Sequence, residues 1–110
     1  MIHLVNAFFA DQGEPQAYGK SKLFTDKPSK LYYLTAHNKG VATVYIELYD
    51  HASAATGTPR VLPVASGGVV GWAQIKMRNG IFVRAVDAVG GTLIAGDDVK
   101  FDCGYTDEIV

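Results

Sequence analysis

The stretch VYIELYDHASAATGTPRVLPVASGG (Val44–Gly68) changes character twice in twenty-five residues. It opens with apolar and polar residues in strict alternation, the local mark of a strand with one buried and one wet face. Val44, Ile46 and Leu48 share one side, and Tyr45, Glu47 and Tyr49 the other. From Asp50 to Thr58 small residues take over, too short in side chain to sustain an apolar face, so a loop is expected. Pro59 presets its own φ, and a second strand is expected over 60–64. Pro63 has no N–H to give to a ladder, which places that strand at a sheet edge. The unit reads as a hairpin.

Outward from this hairpin, twelve glycines break the 110 residues into short segments, and no window of helical length carries an i, i+3, i+4 apolar stripe. Strands are expected over 2–10, 17–24, 30–37, 41–49, 60–64, 69–77, 80–86 and 99–105, with a further short one at 92–94. About eight strands in one chain of this length predict a single-domain, all-β antiparallel sandwich or jelly-roll-like barrel. "HNKG" (His37–Gly40) and "RNG" (Arg78–Gly80) read as hairpin turns, the second as a tight type I′ turn, because Asn-Gly suits two successive positive φ values. Alternation nominates Tyr33, Ile46, Leu48, Val64, Ile81, Val83, Val99, Phe101 and Tyr105 for the core, with Trp72 half-buried.

Composition limits the function classes. Hydrophobic residues make up 48% and charged residues 19%, enough apolar surface for a core. Ten basic against eleven acidic residues leave a net charge of -1, and no basic stripe stands out, so nucleic acid is not an expected partner. The N-terminal "MIHLVNAFFADQG" has no basic leader, and His3 and Asn6 interrupt its apolar run; neither a signal peptide nor a membrane partner is expected. The single cysteine, Cys103, excludes an internal disulfide and alternates with Val99, Phe101 and Tyr105, which makes it a small core hydrophobe.

No reactive constellation stands out. His3, His37 and His51 lack ligand spacing, so no metal is expected. Asp97, Asp98 and Asp102 lack the regular oxygen-ligand spacing of an EF-hand and read as a solvated turn. The pairs Gly67-Gly68 and Gly90-Gly91 precede no helix that could present its N-terminus to phosphate, so no nucleotide cofactor is expected. Catalysis is therefore not expected. Two features suit contact with another protein. The Tyr45, Glu47, Tyr49 face offers aromatic area at low entropic cost, unless the chain covers that face itself. At the N-terminus, Ile2, Phe8 and Phe9 place large apolar groups in one arm; adjacent residues of a strand point to opposite faces, so one of the two phenylalanines needs cover from elsewhere.

The order KLYYLTAHNKGVATVYIELYD, a loop ending TGTP, VLPVASGG, NGIFVRAVDAVGGTL and DDVKFDCGY resembles a group of small tailed-phage and prophage virion structural proteins. There an "LY…N" hairpin precedes a "G..P" loop, an apolar strand ending in GG, an "nGi.v" strand and a closing "f…Y". The likeness spans residues 30–105. It implies a capsid decoration, or cement, protein: a β-rich module made in the bacterial host cytoplasm, seated on the virion surface against the major capsid protein, and assembled as a homotrimer. Residues 1–29 are expected to form an arm with the first strands, packed on or exchanged with neighbours, and residues 30–110 the sandwich body of one domain overall. The likeness assigns no shell-binding residue, so the tyrosine face and the arm are named from chemistry alone. The alternative is a tail or baseplate sandwich module that binds a host glycan or another tail protein, with Trp72 or Tyr49 as a stacking platform.

Overall fold

The fold grows from the hairpin of the opening stretch. In the computed structural model, which describes residues 2–8 as backbone and residues 21–52, 57–94 and 98–106 in full, β4 (Val44–Tyr49) and β5 (Arg60–Val64) pair antiparallel, Ile46 opposite Leu62. The strands before and after them continue the same pairing outward. β3 (Ser29–Asn38) pairs with β6 (Val69–Met77), β2 (Ser21–Thr25) with β7 (Ile81–Val86), and β1 (Ile2–Phe8) with β8 (Val99–Thr106). The chain is thus one long antiparallel ribbon folded back at the β4–β5 loop. Rolling the ribbon up joins β3 to β8 and β4 to β7, and yields two four-stranded sheets in the orders β1-β8-β3-β6 and β2-β7-β4-β5. The described structure is all-β, and this strand order is that of a jelly roll. Pro63 lies on β5, an edge strand as expected, where its missing N–H leaves no gap in a central ladder.

Rolling has a consequence for the turns. Of the connections between successive strands, β4–β5 alone stays within a sheet; all the others pass from one sheet to the other. His37–Gly40 and Arg78–Gly80 are therefore arches between sheets, and the hairpin reading of both is corrected. Asn79 does not take the positive φ that a type I′ turn requires, since Gln74 alone among the described non-glycine residues has one. What holds the Arg78–Gly80 arch is Asp50, whose carboxylate accepts from the backbone N–H groups of Arg78 (3.0 Å) and Asn79 (2.7 Å). Gly80 is required there because a Cβ would stand 2.5 Å from the His51 carbonyl and 2.6 Å from that of Thr25.

Between the sheets lie the inward residues of the four central strands: Leu31, Leu34 and Ala36 of β3, Ile46 and Leu48 of β4, Ile81, Val83 and Ala85 of β7, and Val99, Phe101 and Cys103 of β8. Trp72 is half-buried against this cluster, as expected from the sequence. Tyr105 closes the core at one end, where its hydroxyl donates to the Phe24 carbonyl of the opposite sheet at 2.7 Å.

Tyr33 is the exception among the nominated core residues, being 38% exposed. The register between β3 and β8 steps from Leu31–Tyr105 to Tyr33–Gly104, so β3 carries one extra residue, a bulge. Inward positions change from Ser29 and Leu31 to Leu34, Ala36 and Asn38, and the side-chain period reverses phase across the bulge. Alternation counted from Leu31 therefore points Tyr33 the wrong way. Outside, its ring lies over Gly104, where a Cβ would come within 2.4 Å of Cε1. Strand β6 reverses phase at the same level, from Val70 and Trp72 to Ile75 and Met77, through Gln74 at φ 59°.

A left-handed φ costs an L-residue roughly 1–2 kcal/mol, while glycine adopts it freely and loses some of that gain to chain entropy. Gln74→Gly is expected to leave stability unchanged or raise it by up to about 1 kcal/mol, whereas Gln74→Val should lower it by about 1–2 kcal/mol in urea denaturation.

Candidate functional site

The roll gathers the β3–β4, β5–β6 and β7–β8 connections at one end of the sandwich. Asn38 organises that end. It is fully buried at the last position of β3, and its Nδ2 donates to the carbonyls of Ala42 (2.7 Å) and Val64 (3.1 Å), while its Oδ1 accepts from the Gly40 N–H (2.9 Å). Its backbone N–H donates to Gly68 and its carbonyl accepts from Gly67. One amide side chain thus satisfies two groups of the β3–β4 connection and joins them to the end of β5. Ser66 Oγ donates to the Gly40 carbonyl at 2.6 Å, and the Lys39 N–H donates to the Asp98 carbonyl at 2.8 Å, tying in the third connection.

Beside this knot opens a recess of about 440 Å³. Its floor is apolar, with Val44, Leu93 and Ile94, and its wall carries Asp87, Asp98 and Thr92. Asp87 is held in place by Thr92, which donates its N–H to Oδ1 and its hydroxyl to Oδ2, both at 3.1 Å. Leu93 bridges to Val86, so the loop lies along the end of β7. This end exposes valines: Val41 of the β3–β4 connection, which lines the recess, at 97%, Val89 of the β7–β8 connection at 70%, and Val69, the first residue of β6, at 59%. Apolar tips on loops held by internal hydrogen bonds suit contact with another apolar surface.

The residues nominated from sequence lie elsewhere. Tyr45 is half-buried, but Glu47 and Tyr49 are 2% and 4% exposed, so the open tyrosine face is corrected to a covered one. Glu47 lies opposite Arg84 of β7, and Arg84 Nε donates to its Oε1. The Tyr49 hydroxyl donates to the same oxygen at 2.7 Å, the Arg84 guanidinium lies 5.6 Å from the Tyr49 ring centre, and Phe82 packs against that ring at 6.2 Å. Burial, followed by the hydrogen bond and charge of Glu47, raises the Tyr49 phenol above its ordinary value. For Arg84, desolvation lowers the value, but the hydrogen bond and charge of Glu47 outweigh it and the net direction is upward. The group is a structural ion pair with a phenol as third member, and alternation alone misses it because Glu47 carries the same polar mark as a wet strand position.

In β1, Ile2 stands opposite Thr106 and Phe8 opposite Lys100; their side chains, Phe9 and Asp97 lie outside the described residues. His37 pairs with Val69 and Lys100 at the loop end, and His51 lies against Gly80 at the other end, so the fold separates them. Cys103 is fully buried, and burial pushes its thiol up to about 12. The sequence reading missed Asn38 as a buried anchor, taking it as a turn residue, and missed the recess altogether. The one signal for Asn38 was its side chain, which can bond locally to backbone in an arch as in a turn.

No protein-family model, curated protein or solved structure matches this chain. The reading of the loop end therefore rests on its own chemistry.

Two outcomes are expected. Removing Arg84 strands a buried carboxylate, so Arg84→Met should cost about 3 kcal/mol, while a Glu47→Leu/Arg84→Met double variant should cost much less than the two single losses combined; urea denaturation of the three variants checks this. Because the folded Cys103 thiol holds its proton to about 12 while the unfolded one releases it from 9.0, stability is full below pH 9 and falls above it. Between pH 9 and 10 the wild type should lose about 1 kcal/mol more than Cys103→Ala does, and the thiol should resist alkylating reagents at pH 8 until the chain unfolds.

Proposed function

We propose that this chain is a non-catalytic virion structural protein, a capsid decoration protein that binds the major capsid protein of a tailed-phage head and stabilises the shell. The observation that carries the reading is the loop end: Asn38 braces two connections, the Lys39 N–H ties in the third, and the end exposes Val41, Val69 and Val89 beside a recess that Val41 lines. Apolar side chains on braced loops lose little entropy on docking, so their burial contributes directly to binding. The jelly-roll strand order adds an analogy of fold, since viral shell proteins use it, though so do lectins and cupins. The resemblance of residues 30–105 supplies the virion setting and a homotrimer, whose several attachment points would multiply a modest affinity per copy. The glycan-binding alternative loses support, because Tyr49 is covered and Trp72 is packed against the core.

Mixed with tailed-phage heads that lack their own decoration protein, the purified chain should bind saturably and raise the temperature at which the heads burst. A Val41→Ser/Val89→Ser variant should bind roughly tenfold more weakly. Light scattering should give the mass of a trimer. Absence of saturable binding to such heads, or unchanged binding by the double variant, would overturn the reading.

A further inference from the structure

We infer that the recess at the loop end receives a basic side chain of the partner protein, its alkyl stem against Val44, Leu93 and Ile94 and its cationic head between Asp98 and Asp87. The inference deepens the proposed function, and rests on it for the source of that side chain. The volume of about 440 Å³ falls in the range of small-ligand pockets, roughly 300–1,000 Å³, and has their usual make-up of an apolar floor with a few placed polar groups. Both charges on its described lining are negative, and that lining contains no lysine, arginine or histidine. The Asp87 carboxylate is oriented by Thr92 yet keeps unused acceptor sites, since a carboxylate offers about four.

Asp98 is the more telling residue. Its carbonyl is occupied by the Lys39 N–H, but no described side chain pairs with its carboxylate, which packs against Gly40 so closely that a Cβ there would stand 2.8 Å from Oδ2. An anionic group would be repelled from this wall. A purely apolar one would strip water from two carboxylates without replacing its hydrogen bonds, a loss that outweighs contact with a small floor. Lysine and arginine answer both demands, because each lays an apolar stem on carbon and carries its charge at the tip.

The probe is n-butylguanidinium, titrated into the full chain while backbone amide resonances are followed by NMR, with n-pentanol and pentanoate as neutral and anionic counterparts. Saturable shifts are expected at Gly40, Val41, Thr92 and Ile94 with the cation, weakening as salt is added, and binding roughly tenfold weaker in Asp98→Asn, which keeps the backbone carbonyl that Lys39 uses. Equal binding of pentanol or pentanoate, no saturable shift, or an unchanged affinity in Asp98→Asn would overturn the site. The titration needs no shell, so failure of the wild type to bind heads would overturn the proposed function and leave the cation site standing. Heads bound equally by wild type and Asp98→Asn would overturn the partner's base as occupant and leave the proposed function standing.

Discussion

The structure depends on the apolar layer that the four central strands, β3, β4, β7 and β8, enclose between two sheets. Phe101, Leu34, Ile46 and Val83 are fully buried in it, and each reaches it only if its strand keeps register with its neighbours. A slip of one residue would turn a whole strand's apolar set to water. That constraint explains why the bulge on β3 and the left-handed Gln74 on β6 occur at one level. β3 and β6 keep one register throughout, so β6 must reverse phase with β3, whereas the bulge takes up the extra residue against β8, which keeps its alternation unbroken. Strain at Gln74 is offset by continuous burial above and below it.

The two ends of the sandwich are built differently. At one, Asp50, Gly80 and Tyr105 close the arches with backbone hydrogen bonds, a close approach only glycine allows, and a phenol that joins the sheets. At the other, Asn38 ties the β3–β4 and β5–β6 connections from within and leaves Val41 of the first in water. Bracing from beneath makes a loop surface able to bind without first being ordered, which is the physical basis for placing contact there rather than on the strands.

The Glu47, Arg84 and Tyr49 group lies on β4 and β7, where polar residues of an antiparallel sheet ordinarily meet water. Here the carboxylate is almost wholly covered and depends on two donors for its charge. A buried pair of this kind is weak evidence for stability gained, since desolvation cancels much of the attraction, but it strongly disfavours any arrangement in which the partners are apart. It thereby helps to specify the register between β4 and β7.

Much of the strand plan was legible in the sequence, because a period of two residues is a local property and Gly, Pro and Asn mark its breaks. The hairpin of Val44–Val64, the edge position of Pro63 and the buried alternation through Cys103 follow from such marks. The arches at His37–Gly40 and Arg78–Gly80 were misread as hairpins because local turn chemistry does not say which sheet the next strand joins. Tyr33 was misplaced because a bulge is a relation between two strands, invisible in either alone. The roll of the ribbon, the burial of Glu47 and the recess under Asp98 were decided only by tertiary structure. Each depends on residues far apart in sequence, brought together by the need to cover apolar surface rather than by any preference of their own.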